Sequence, residues 1–308
     1  MTIYMTEQFH PDAMKRLYEL ATVVNTLDHP EEIDGVMIRA GGVDRDLIEK
    51  LPNLKAIGRH GAGYDTVDLK AAKEHGIKVV NVPNGNSDSV AELIVGLALD
   101  LERKISEANA VCRAEGYKTI APANCRGTEL KGKTFGSIGM GNIASRAAKI
   151  FVNGFEMTAL GYDRHSTPEQ AKEKGFEKVA TIEELLERSD VINISVPLNA
   201  GTKDMISGKM FDHFKPGAIL INCARGGVVN EGDLYDALIS GKLKAAACDA
   251  FVQEPPMKEN KLLSLPNFSA TPHIGGNTDD AIRRTGIQLV ENVVHVIKGE
   301  PAIGVVSL

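Results

Sequence analysis

The sequence has no paired cysteines: its four stand alone at 112, 125, 223 and 248, without a C-x-x-C spacing. That argues against a zinc site or a disulfide framework and predicts reduced thiols and no resident metal. A surplus of positive charge is also missing. With 35 Lys+Arg against 41 Asp+Glu the formal net charge is -6, and the basic residues are dispersed. No electrostatic footprint for nucleic acid or anionic lipid is present. No stretch approaches the roughly 18 apolar residues of a membrane span, and the N-terminal MTIYMTEQFHPDAMKRL is charged where a signal peptide would be apolar. Low-complexity segments and short repeats are absent too. These gaps leave a cytoplasmic globular protein with a small-molecule ligand as the expectation.

What is present supports this. A chain of 308 residues with 43% hydrophobic and 25% charged residues is long enough for two cores. Its first hundred positions alternate β-rich runs (TIYM, GVMIR, LKAIGRHG, KVVNVP) with helical segments (PDAMKRLYEL, VDLKAAKEHG). Such a βα repeat implies a parallel sheet. The segment SDSVAELIVGLALDLERKI then predicts a long apolar helix, with Ser89 and Glu92 as its capping box, able to carry the chain from one domain to the next.

A second βα series follows. Residues 134–139 predict a strand, a helix starts near Asn142, and MTALGYD forms the next strand. Thr167 with Gln170, and Thr181 with Glu184, mark helix starts. VINISVP, GAILINCARGG and KAAACDAF predict buried strands, EGDLYDALISG a helix ended by Gly241, and NFSATPH a last strand. A long amphipathic helix, DDAIRRTGIQLVENVVHVIKG, closes the chain.

Two phosphate-binding patterns overlap in GTELKGKTFGSIGMGNIA. Gly127, Gly132, Lys133 and Thr134 fit a nucleotide triphosphatase loop, which needs a strand before it and a helix directly after it. Here the order is reversed, so Lys131 and Lys133 are expected in a solvated turn. Gly139, Gly141 and Ala144 fit G-x-G-x-x-G/A in its proper strand-to-helix context, and Asp163 follows nineteen residues beyond Ala144 at a strand end. The glycines allow a tight turn and close approach to a pyrophosphate, and the carboxylate takes a ribose 2'-hydroxyl. Asp163 favours NAD over NADP, although Arg164 and His165 beside it could accept a phosphate.

Downstream, Arg225 in INCARGG, Glu254 in DAFVQEPP and His273 in TPHIGG fall at predicted carboxyl ends of strands, the edge at which open α/β sheets hold ligands. Nicotinamide chemistry on a 2-keto acid needs a cation for the carboxylate or carbonyl, a proton donor, and a group that tunes the donor. Imidazole exchanges protons near neutrality and a carboxylate neighbour favours its charged form, so His273 is the candidate acid/base, Glu254 its partner and Arg225 the planar cation.

NCARGGVVNEGDLYDAL, CDAFVQEPP and TPHIGGNT, with NVPNGNSDSVAEL and IGRHGAGYDTVDL upstream, resemble the D-isomer-specific 2-hydroxyacid dehydrogenase family, in particular its phosphoglycerate dehydrogenase branch. The resemblance runs from about residue 35 almost to the end. It implies an α/β fold of two Rossmann/flavodoxin-like doubly wound parallel-sheet domains with an interdomain cleft for the substrate. A substrate domain at 1–99, completed by 280–308, would enclose a dinucleotide-binding domain at 100–279. It further implies NAD as cofactor, a 2-hydroxy or 2-keto acid as substrate and a homodimer formed through the cofactor domain.

By the same resemblance Arg225, Glu254 and His273 form the catalytic set, and backbone amides of His60, Gly61, Ala62 and Gly63 hold the substrate carboxylate. Gly139, Gly141, Asn142, Ile143, Asp163, Val196, Cys223 and Asp249 line the cofactor. Arg39 matches an arginine placed near a substrate phosphate, although Gly41 and Gly42 depart from the family there. Thr66, Ala250 and the absence of a tryptophan in 114–126 are further departures. 3-Phosphoglycerate is the favoured substrate; a hydroxypyruvate or glyoxylate reductase, with NADPH as an option, and a non-catalytic NAD sensor are the alternatives. The chain's end at Leu308 carries the expectation that no regulatory domain follows.

Overall fold

A computed structural model describes residues 1–114 and 116–307. Glu115, inside the stretch noted for its missing tryptophan, and Leu308, the last residue, lie outside the described residues. The chain divides into two compact units, Met1–Ser89 with Gly276–Leu308, and Val90–Gly275.

The first unit opens with β1 (Thr2–Met5), α1 (Pro11–Leu20), β2 (Thr22–Val24) and β3 (Ile33–Ile38). It continues through α2 (Arg45–Glu49), β4 (Ala56–Arg59), α3 (Leu69–Glu74) and β5 (Lys78–Val80). The strands form one parallel sheet in the order β2-β1-β3-β4-β5. Pleating sends alternate residues to opposite faces. On β3, Met37 joins the core made with α1, while Val36 and Ile38 join the other one with Ile48 and Ala71. Helix α1 starts where PDAMKRLYEL predicts, with Pro11 in its first turn and the His10 side chain accepting the Asp12 amide.

The second unit begins along α4 (Ser87–Arg103) and runs through α5 (Ile105–Ala114), β6 (Thr134–Ile138), α6 (Asn142–Phe155) and β7 (Thr158–Tyr162). Then come α7 (Pro168–Glu173), β8 (Glu177–Lys178), α8 (Ile182–Arg188) and β9 (Val191–Ile194). β10 (Ile219–Asn222), α9 (Glu231–Ile239), β11 (Ala245–Cys248) and β12 (Phe268–Ala270) complete it. Its parallel sheet has the order β12-β11-β10-β9-β6-β7-β8, which reverses direction between β6 and β9. Ligands of doubly wound sheets bind at such a reversal. Alternating residues again split between two cores, Ile219 and Ile221 to one and Leu220 to the other.

Helix α10 (Asp279–Lys298) belongs to the first unit, where it packs beside α1 and over β4. Gly58 makes this possible, since a Cβ there would stand 2.6 Å from Val293 Cγ2. Among the described residues no helix is long and apolar enough to cross a membrane.

Three local expectations need correction. Helix α4 starts at Ser87, so Ser89 sits buried in its first turn rather than capping it. The helix also stops at Arg103, because Lys104 takes a left-handed φ of 54° before α5 begins. The turn expected at Lys131 and Lys133 is formed, with the Lys133 amide donating to Leu130 O at 3.0 Å and Lys131 exposed, but the Lys133 side chain is not solvated as expected. Its Nζ lies 3.3 Å from a carboxylate oxygen of Glu102, whose side chain is 0% exposed, and Lys244 reaches the other oxygen at 2.6 Å. Thr128 donates its hydroxyl to the same carboxylate. A buried charge demands such partners. With Thr134 opening β6 and no helix after it, the triphosphatase geometry is not formed.

Candidate active site

The dinucleotide pattern lies at the β6-to-α6 junction, on the sheet's reversal. Gly139 has φ +92° and its amide donates to Tyr162 O at 2.8 Å; a Cβ there would meet Ser195 O at 2.3 Å. Only glycine lets the loop after β6 lie this close to the loop after β9, which carries Val196. Gly141 caps α6 without a side-chain hydrogen bond, and a Cβ there would meet nothing within 4 Å. It stands over an open helix N-terminus beginning with Asn142 and Ile143, a position suited to a pyrophosphate. Asp163 follows β7. Burial would raise its pKa, but amides of His165, Met140 and Ser166 outweigh that and hold it below the usual carboxylate range. One of the donors, Met140, is in the glycine loop itself, so the ionised carboxylate is locked beside it. These residues fit a dinucleotide.

Cys223 and Asp249 occupy the first positions after β10 and β11. Burial, with the charges of Asp249 and Cys248, pushes the Cys223 thiol well up, so it stays protonated and unreactive. Asp249 is 2% exposed, and its carboxylate is filled by the Thr271 hydroxyl at 2.6 Å and the amides of Ile274 and Gly275 at 2.8 Å each. It therefore shapes the loop that carries His273.

That loop holds His273 at φ +55°, a conformation L-residues rarely take, with its amide donating to Asp249 O at 2.9 Å. His273 Nδ1 lies 2.8 Å from Glu254 Oε2. A carboxylate there only accepts, so Nδ1 carries the hydrogen and Nε2 remains for proton exchange. Glu254 Oε1 accepts the Phe251 amide at 3.0 Å. The Arg225 loop lies directly against this segment: a Cβ on Gly226 would stand 2.0 Å from Phe251 C and O. Asn222 shapes that loop, donating to Arg225 O at 2.9 Å and accepting the Ala224 amide at 3.1 Å. Arg225 Nη1 donates to Ala224 O at 2.7 Å.

The remaining candidates lie in the first unit. The His60 amide donates to Ile38 O at 2.9 Å, so it is committed within the sheet edge. Its ring is buried against Phe9, with Nε2 3.2 Å from Ile282 O, and burial lowers its pKa to about 4. A neutral imidazole packed this way is structural. Beyond it, Gly61 turns at φ +114°, and the carbonyls of Gly61 and Ala62 are tied to the Val82 amide and the Asn81 side chain. Among the described residues no acceptor engages the amides of Gly61, Ala62 and Gly63, which leaves a nest for an anion. Arg39 follows β3 and donates to Asn277 Oδ1 at 2.6 Å. The next two amides, Ala40 and Gly41, are held by the Glu7 carboxylate at 2.8–3.0 Å.

Asn222, Gly226, Thr271 and Glu7 are absent from the residues singled out in the sequence. Only Gly226, in a Gly-Gly pair after Arg225, carries a local signal; the others act through partners remote in the chain.

Residues 95–275 match the family described as D-isomer specific 2-hydroxyacid dehydrogenase, NAD binding domain. The D-3-phosphoglycerate dehydrogenase of Methanocaldococcus jannaschii is 40% identical over 99% of the chain and 59% of its own length. The hydroxypyruvate reductase of Thermotoga maritima is 41% identical over 85% of the chain and 84% of its own length. The crystal structure of a Thermus thermophilus protein matches with a TM-score of 0.89 at 29% identity, covering 100% of both chains. The chain spans only 50–59% of the phosphoglycerate dehydrogenases from Methanocaldococcus jannaschii, Archaeoglobus fulgidus and Bacillus subtilis.

Proposed function

Because the chain belongs to the D-isomer specific 2-hydroxyacid dehydrogenase family, we propose that it interconverts a D-2-hydroxy acid and its 2-keto acid. The observation that carries this reading is the 2.8 Å pairing of His273 Nδ1 with Glu254 Oε2 at the carboxyl edge of the NAD binding domain. Bound NAD supplies the hydride acceptor in one direction and, reduced, the donor in the other. Glu254 holds the imidazole so that Nε2 takes the hydroxyl proton during oxidation and returns one during reduction. Arg225 offers its guanidinium to the substrate carboxylate or the polarised carbonyl. The amides of Gly61, Ala62 and Gly63 hold acidic oxygen, and Asp163 takes ribose hydroxyls while disfavouring a 2'-phosphate.

3-Phosphoglycerate is the first substrate to test, supported by the name of the Methanocaldococcus jannaschii relative and by Arg39. A hydroxypyruvate reductase is the second reading. It is supported by the Thermotoga maritima relative and by the Arg39 loop, where Glu7 occupies the Ala40 and Gly41 amides and so opposes a phosphate. The family likeness also carries the expectation of a homodimer in the cytoplasm; a monomeric mass in sedimentation would remove the first part.

The test is nicotinamide absorbance with NADH and NADPH in turn, over hydroxypyruvate, glyoxylate and phosphohydroxypyruvate, and with NAD and 3-phosphoglycerate in reverse. His273→Ala should reduce kcat by about 10²- to 10⁴-fold. Full turnover in that variant would remove His273 from the chemistry. Loss in Arg39→Ala confined to phosphorylated substrates would decide for the first reading.

A further inference from the structure

The loop that carries Glu254 is closed at both ends by a side chain that has no role in the chemistry above. Glu231, the first residue of α9, accepts the Val252 amide on Oε1 at 2.7 Å and the Asn260 side-chain amide on Oε2 at 2.9 Å. Asn260 has no freedom to reverse its amide, because its Oδ1 accepts Leu262 N at 3.1 Å and its own backbone N–H donates to Met257 O at 2.9 Å. The carboxylate also stands in the first turn of its helix, where the aligned backbone dipoles favour negative charge. Between the two gripped ends, Glu254 gives one oxygen to Phe251 N and the other to His273 Nδ1. Glu254 is 38% and His273 50% exposed at the side chain, so solvent competes for this pair and only the loop's shape keeps it together.

We propose that Glu231 is the positioning residue of the Glu254–His273 pair: by closing the loop 252–260 it holds Glu254 Oε2 within hydrogen-bonding distance of His273 Nδ1. The proposal rests on the reading of His273 as acid/base group. Glu231 acts through Glu254, its two carboxylate oxygens being taken up by Val252 and Asn260.

The test is a double-mutant cycle on the full chain. Glu231→Ala should reduce kcat by about ten- to a hundredfold, as expected for a displaced catalytic group, with KM for NADH unchanged. In a Glu254→Gln background the same substitution should cost nothing further, since the group it acts through is already lost. Glu231→Gln places two amides face to face at Asn260; adding Asn260→Asp restores an amide-to-carboxylate contact and should recover most of the activity. Histidine ring nitrogen NMR gives a readout independent of turnover: the hydrogen-bonded Nδ1–H signal, assigned with His273→Ala, should disappear in Glu231→Ala. Persistence of that signal, undiminished kcat, a loss that multiplies with Glu254→Gln, or failure of the swap to rescue would each overturn the proposal. Absence of nicotinamide-linked turnover in the unaltered protein would instead overturn the activity reading, while the NMR comparison still decides the role of Glu231.

Discussion

The Asp249 carboxylate accepts the Gly275 amide at 2.8 Å, two residues beyond His273, and the Ile274 amide at the same distance. A buried acid at the end of β11 thus fixes the backbone of the candidate proton-transfer loop from below. Asp249→Ala would leave these amides and the Thr271 hydroxyl without their acceptor, at about 1–3 kcal/mol for each unsatisfied group. The expected result is a lower unfolding midpoint together with a large fall in kcat, measured by urea denaturation and turnover. A variant with unchanged stability would show that water or a rearranged loop replaces the carboxylate.

Gly139 and Gly141 should respond differently to alanine. At Gly139 the left-handed φ and the Ser195 carbonyl 2.3 Å from a Cβ predict both a loss of stability and weaker NADH binding. At Gly141 a Cβ meets nothing within 4 Å and φ is an ordinary -76°. Gly141→Ala should leave the unfolding midpoint nearly unchanged yet weaken NADH binding by about tenfold or more, roughly 1.4 kcal/mol. Fluorescence titration of NADH checks both. Equal binding by Gly141→Ala and the unaltered protein would place the pyrophosphate elsewhere.

His60 should make the fold sensitive to mild acid. Burial, reinforced by the charges of Arg39 and Arg59, lowers its pKa from 6.5 to about 4 in the folded protein, against the pull of the Ile282 carbonyl. The unfolded chain therefore binds a proton that the folded one refuses between these values, and stability falls as pH drops from 6.5 towards 4, by up to about 3 kcal/mol from this group. His60→Gln should flatten that part of the stability profile relative to the unaltered protein. Parallel profiles in denaturant titrations would show that His60 does not contribute.

Glu102 is a buried charge outside the candidate site. Its side chain is 0% exposed, and its lysine partners Lys133 and Lys244 are 25% and 29% exposed. Glu102→Ala would leave both cations facing a cavity, and a loss of about 3–5 kcal/mol is expected, as for other broken buried pairs. Lys133→Met should cost less, because Oε1 loses its ion pair while Lys244 and Thr128 still engage Oε2. A chemical denaturation series on the two variants ranks them.

Much of this fold is legible along the chain because its signals are local. PDAMKRLYEL carries its own helix start in Pro11, Thr167 and Gln170 form the capping box their spacing announces, and the G-x-G pattern marks its turn in the sequence even though the Ser195 carbonyl that makes Gly139 necessary comes from a remote loop. The strands Thr22–Val24 and Glu177–Lys178 carry no such signal, being short and held mainly by their pairing to β1 and β7. Ser89 is a plausible cap by spacing alone, but the chain turns into the helix two residues earlier.

The sequence by itself determined which chemical groups this protein possesses and where strands hand over to helices, since both depend on neighbours a few residues apart. Tertiary structure decided which of those groups meet: His273 with Glu254 across 19 residues, Val252 with Glu231 across 21, and Asp249 with the backbone beyond His273 across 25 and 26. It also withdrew the His60 ring and amide from binding by burying them against Phe9, Ile38 and Ile282. The reason is physical. A hydrogen bond or a burial cost is set by distance in space, and only the assembled parallel sheet brings its carboxyl-end loops within that distance.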